Sequence, residues 1–156
     1  MSEHIIGASQ LLSGKTEIVY GDYRSVLENV KPSDIVYMDP PYQGVCGNRD
    51  PRYIGGLSFD EFTEALHILN KKGIFYILSY DGRTGPKTYG KPMPCHLHLT
   101  RIEMDAGRSS QATLLGRDSR TYESIYLSPA LSQEIEPTRI ALLKSPPQQL
   151  PLLRTV

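Results

Sequence analysis

Two apolar runs, Ile35-Val36-Tyr37-Met38 and Ile74-Phe75-Tyr76-Ile77-Leu78, flank one amphipathic stretch, and that order restricts the fold more than any other feature of the chain. The first run shows no alternation, the pattern of a strand covered on both faces in a parallel sheet. Between the runs, Ser58 and Glu61 have capping-box spacing and Leu57 and Phe62 have staple spacing. Phe62, Ala65, Leu66 and Leu69 then share one helical face over residues 59–72. Lys71, Lys72 and Gly73 close that helix where positive charge and a left-handed residue are favoured. The economical reading is a β-α-β unit with parallel strands whose exits share one edge. Ligand sites in open α/β sheets gather at that edge.

A chain of 156 residues with 39% hydrophobic side chains is long enough for one compact core and short for two. Its 17 Lys and Arg balance 17 Asp and Glu, so it has no bulk basic field, and affinity for nucleic acid has to come from a local patch or a partner. Cys46 and Cys95 form neither a metal-ligand pair nor a disulfide framework. No apolar run reaches the roughly twenty residues that span a bilayer, and the first residues show no signal pattern. A reducing cytoplasm and no membrane are expected.

Directly after the first run come Asp39-Pro40-Pro41-Tyr42. Each proline lacks an amide proton and fixes its own φ, so its carbonyl is the only backbone hydrogen-bonding group and the turn loses little further freedom on binding. The Asp39 carboxylate and the proline carbonyls can accept hydrogens from a planar exocyclic amine while the Tyr42 ring covers the attached heterocycle. These residues point to chemistry on a nucleobase or amide nitrogen.

Asp-Pro-Pro-Tyr at a strand exit resembles the catalytic signature of the S-adenosylmethionine-dependent amino-methyltransferases, and the aspartate form is most similar to the DNA adenine-N6 branch. The resemblance implies that Asp39 and the Pro40 carbonyl hold the target amine and that Tyr42 stacks on a base flipped out of double-stranded DNA. Cytosine N4 is the close alternative target. It further implies S-adenosylmethionine as cofactor, with Asp22 accepting from the cofactor's adenine amine and Tyr23 lying against that adenine; on local sequence alone, Asp22 reads as a helix cap. Such enzymes carry a glycine-rich cofactor loop ahead of the catalytic motif, and none occurs before Asp39 here. Gly7 to Gly14 follows no convincing strand. The expectation is therefore the C-terminal half of such an enzyme, from about Glu17 to about Pro129. Such a piece would be inactive alone and completed by a complementary N-terminal half, or covered by self-association into a homo-oligomer. A degenerate, non-catalytic domain with an interaction role is the alternative of a different class.

The remaining assignments follow the chain. Residues 17–20 are a strand candidate, followed by helical spacing at Val26, Leu27 and Val30. Residues 43–56 and 82–94 read as loops, and Tyr53 resembles a tyrosine of the family's post-catalytic loop. Ser79 and Asp81 resemble a shortened Ser/Asn-x-x-Asp segment beside the base pocket, with a turn cap as the simpler alternative. Leu97–Met104 and Thr121–Leu127 are strand-like. His96 and His98 share one face of the first, without the acidic or sulfur partners that a metal site needs. In the arginine-bearing segment between these strands, Arg108 resembles the family's DNA-contacting Arg-Ser element; a solvated basic loop is the alternative. The expected fold is α/β, a partial Rossmann-like methyltransferase sheet whose parallel strands end in an antiparallel hairpin. An N-terminal extension (residues 1–16) precedes the methyltransferase-like unit (17–128), and a proline-rich extension or docking segment follows (129–156).

Overall fold

The computed structural model describes residues 2–41, 58–108, 114, 116, 118–135 and 137. Strand β1 (Ile35–Met38) is followed by helix α3 (Phe59–Lys71) and strand β2 (Phe75–Thr84), with α1 (Ser2–Leu12) and α2 (Tyr23–Glu28) ahead of them. Then come β3 (Lys87–Tyr89), a 3-10 turn (Cys95–Leu97), β4 (Thr100–Arg108), β5 (Arg120–Leu127) and α4 (Pro129–Glu134). The sheet order is β1-β2-β5-β4, and β3 pairs with β2. Among the described strands only β1 and β2 run parallel, in the register Ile35↔Phe75 to Met38↔Leu78; the other pairings are antiparallel. This mixed sheet with flanking helices is a partial Rossmann-like methyltransferase fold.

Helix α3 forms where its caps and periodicity place it. Ser58 is the N-cap and its hydroxyl accepts from the Glu61 amide at 3.4 Å, while Gly73 takes φ 68 just past the end. Its face of Phe62, Leu66 and Leu69 packs on Tyr76, Leu78 and Tyr80, which share one face of β2 at period two, and on Ile74 just ahead of that strand. All seven are at most 2% exposed, each worth about 1.5–3 kcal/mol of burial. Tyr76 donates its hydroxyl to Asn70 Oδ1 at 2.8 Å and Asn70 Nδ2 donates to the Leu97 carbonyl at 2.9 Å, tying the end of α3 to the 3-10 turn.

Several expectations change. Among the described residues β1 is an edge strand with one open face: Val36 and Met38 pack against the core, but Ile35 and Tyr37 are about two-thirds exposed, at 65% and 64%. A short apolar run alone does not reveal how many faces are covered. Residues 17–20 form no strand, and Ile18 and Tyr20 lie almost fully in solvent. The N-terminal segment set aside as an extension, including Gly7, forms helix α1. β2 does not end at Leu78 but runs on to Thr84, where it turns into β3 within the supposed 82–94 loop. His96 and His98 share no strand face: His96 sits in the 3-10 turn and His98 ends it at φ 52, so β4 starts only at Thr100. Among the described residues no helix is long and apolar enough to cross a membrane, and no cluster of His, Cys, Asp or Glu could hold a metal.

Candidate functional site

The parallel register fixes the site's starting geometry. Asp39 and Ser79 are the residues that follow the paired Met38 and Leu78, so both emerge on the carboxyl edge of adjacent strands. Asp39 is exposed and Pro40 half-buried, and the Asp39 carboxylate has no partner among the described residues beside that proline carbonyl. Tyr42 and Tyr53 lie outside the described residues. Ser79 is buried, and β2 remains paired with β5 there through Ser79↔Ile125.

Behind that exit lies an aromatic cluster. The Tyr80 ring, 1% exposed, sits 6.1 Å from Phe62 and 6.3 Å from Phe59, and Tyr23 meets Phe62 edge-on at 5.9 Å. Such pairs add about 0.5–1.5 kcal/mol beyond area burial. The Tyr23 ring is thus half-buried on α3, and its hydroxyl is buried without a partner among the described residues. Burial raises its pKa.

Asp22 takes the role that local sequence gives it. It caps α2, accepting the Arg24 amide on Oδ1 at 2.9 Å, and binds the Arg24 guanidinium at 3.0 and 2.7 Å. The Arg24 side chain and then its amide hold the carboxyl down at about 2. Three of the roughly four lone-pair sites of this carboxylate are therefore taken, and one acceptor position remains for an amine. Arg24 also reaches Glu61 of α3 at 3.7 Å. Beside it a groove of about 510 Å³ runs between α2 and α3 over Leu27, Ala65, Ile68 and Leu69, away from Asp39, Ser79 and Asp81.

Asp81 is not at an open pocket wall. It is 5% exposed, has φ 52, and its carboxylate accepts from Ser124 Oγ at 2.5 Å, from Arg101 Nη2 at 3.1 Å and from the Tyr126 hydroxyl. Burial first, and the Asp81 bond next, push the Tyr126 phenol up in pKa. Arg101 and Ser124 were not singled out by sequence; Ser124 and Tyr126 do stand two apart on β5, which puts them on one face. Arg108 is not brought to the site. It pairs with Arg120 at the far end of the β4–β5 ladder, six residues or about 20 Å beyond the Ile102↔Ile125 row, and its side chain, 73% exposed, meets Asp118 at 3.3 Å. So exposed a pair contributes little to stability and leaves the guanidinium accessible.

No curated protein and no solved structure matches the chain. A family does: D12 class N6 adenine-specific DNA methyltransferase, matched over residues 2–102. This corrects the expected placement at the C-terminal half of such an enzyme. The match begins at the first residue of α1, takes in the segment set aside as an extension, and covers the N-terminal two-thirds of the chain. It stops in β4, before the Arg108 element that the resemblance had included. Asp39-Pro40-Pro41-Tyr42 falls well inside it, and the chain belongs to the D12 class N6 adenine-specific DNA methyltransferase family.

Proposed function

We propose that this domain transfers a methyl group to N6 of an adenine flipped out of double-stranded DNA, with Asp39 and the Pro40 carbonyl as amine acceptors and Tyr42 as the stacking ring. The observation that carries this reading is the Asp39 exit itself: an exposed carboxylate and a proline carbonyl at the end of a parallel strand, beside the emerging Ser79. Adenine N6 is a poor nucleophile because its lone pair is delocalised into the ring. Acceptors for both hydrogens favour pyramidalisation and localise that pair, a contribution of orientation and electrostatics. Tyr42 would replace part of the stacking lost when the base leaves the duplex.

S-adenosylmethionine, on which the family depends, supplies an activated methyl when bound. The residues present fit its adenine end, where Asp22 keeps one acceptor position and Tyr23 stands beside it. Partners for its ribose and methionine ends are not identified among the described residues. A second protein surface belongs to this reading, because edge strand β1 presents Ile35 and Tyr37 to solvent.

The test is labelled-methyl transfer to mixed-sequence DNA, with the product nucleoside separating N6-methyladenine from N4-methylcytosine. Asp39→Ala should lower turnover by about 100-fold or more while cofactor affinity holds, since the lost interaction is made at the transferring nitrogen. Unchanged turnover at saturating cofactor and DNA defeats the assignment. Tyr42→Ala should cost more on duplex DNA than on an already unstacked adenine; equal losses count against stacking. A non-catalytic domain is the second reading, favoured by the engagement of Asp22 with Arg24, and is the outcome if no preparation transfers methyl.

A further inference from the structure

We propose that Asp81 is a positioning residue, fixing the bulge in β2 that sets Ser79 and Tyr80 against the Asp39 exit while touching no substrate itself. The inference rests on the methyl-transfer reading above. Its starting point is a break in register. β2 and β5 are aligned at Ser79↔Ile125 and again at Gly82↔Glu123, so Tyr80 and Asp81 together oppose the single residue Ser124. A bulge of this kind bends the strand and re-aims its side chains. It lies immediately after Leu78, the last residue of β2 aligned with β1, and therefore where the carboxyl edge begins.

Nothing in local propensity holds an extra residue in a strand, and an aspartate at φ 52 is a conformation that most side chains avoid. The carboxylate supplies the reason. Ser124 and Tyr126 reach it from β5, and Arg101 reaches it from β4; the arginine also donates to Ser124 Oγ from Nε at 3.0 Å and Nη2 at 2.8 Å. One buried carboxyl group thus ties β2 to the two strands outside it. The Tyr126 hydroxyl, in turn, accepts from the Met93 amide at 3.4 Å, which draws the segment after β3 into the same network. Gly82 lets β5 close over the bulge, because a Cβ there would stand 2.7 Å from the Tyr122 carbonyl oxygen. The neighbouring Tyr80 ring is clamped between Phe59 and Phe62. With its donors already provided by the sheet, Asp81 acts through the backbone it fixes, and small displacements of a reacting amine relative to its acceptors are costly.

The experiment uses the full chain with Asp81→Asn, Asp81→Gly, Tyr126→Phe and Arg101→Gln. Glycine adopts φ 52 without strain, so Asp81→Gly leaves the bulge conformation accessible and removes the carboxylate that fixes it. Single-turnover methyl transfer should slow about tenfold or more in both Asp81 variants at saturating cofactor and DNA, with cofactor affinity within about twofold of wild type and rates normalised to folded protein. A wild-type rate in Asp81→Gly overturns the inference and leaves Asp81 as a filler of a left-handed position. Losses that vanish after normalising to folded protein overturn it too, since a merely structural role predicts them. If neither Asp81 variant folds, Tyr126→Phe and Arg101→Gln decide by the same split between rate and affinity. If wild type transfers no methyl, the functional reading has failed separately, and amide exchange decides what remains. Exchange at residues 79–82 should then accelerate about tenfold in Tyr126→Phe while α3 is unchanged; unaltered exchange overturns the inference.

Discussion

Removing one oxygen, in Ser128→Ala, should be among the more damaging single-atom changes available outside the site. Ser128 is 0% exposed and follows the last residue of β5. The β2–β5 ladder begins at Ile77↔Leu127, so the Tyr76 backbone lies one step beyond it with no strand partner on that side. Ser128 fills the gap twice: its amide donates to the Tyr76 carbonyl at 3.0 Å and its Oγ accepts the Tyr76 amide at 3.1 Å. The same Oγ caps α4 by accepting from Leu131 at 3.3 Å. Alanine removes a cap worth about 1 kcal/mol and strands a buried amide at about 1–3 kcal/mol, a total of about 2–4 kcal/mol. In urea, followed by far-UV circular dichroism because the chain has no tryptophan, the midpoint should fall by about 1–2 M. Ser132→Ala is the control. Its Oγ is buried without a partner among the described residues, so its removal should be neutral or stabilising. A Ser128→Ala protein within about 0.5 kcal/mol of wild type would refute the claim that Tyr76 depends on this oxygen.

Two further outcomes test the local physics. Asp22 should titrate at about 2 instead of its usual 3.8 by carboxyl NMR, and Arg24→Met should return it most of the way. Because the folded-state value is the lower one, its contribution to α2 is present above about pH 4 and is lost as pH falls through the folded value; fraying of α2 that tracks pH 6–8 would contradict this. Gly82→Ala should destabilise by about 1–3 kcal/mol in the same urea assay, since its Cβ meets the Tyr122 carbonyl oxygen, a backbone atom that cannot swing aside; an unchanged midpoint would mean that the strands separate freely at the bulge.

What could be read from the sequence was what local chemistry determines. Ser58, Glu61 and the Phe62-Leu66-Leu69 face specify α3 within fourteen residues, and β1 follows from an apolar run ended by Asp39-Pro40. Asp22 went the way of its immediate neighbours, since a cap needs only the next two residues. The misreadings share one cause, which is that coverage and register are set by distant strands. Ile35 and Tyr37 look like core residues until the face they share on β1 proves uncovered, and residues 17–20 look like a strand but pair with none of the described strands.

The continuation of β2 past Leu78 is the same problem in a sharper form. Ser79-Tyr80-Asp81-Gly82 has the composition of a turn, and aspartate followed by glycine is a strong turn signal. The chain stays in the sheet because donors 20, 43 and 45 residues away, Arg101, Ser124 and Tyr126, converge on one carboxylate. That convergence makes an unfavourable φ tolerable, since a strained residue persists only where its surroundings over-determine it. Asp81 does adopt the left-handed conformation that such pairs favour, but inside a strand and not as a turn cap. What the sequence could not convey is that the sheet uses this conformation as a bulge inside a strand, at the edge where the Asp39 carboxylate emerges.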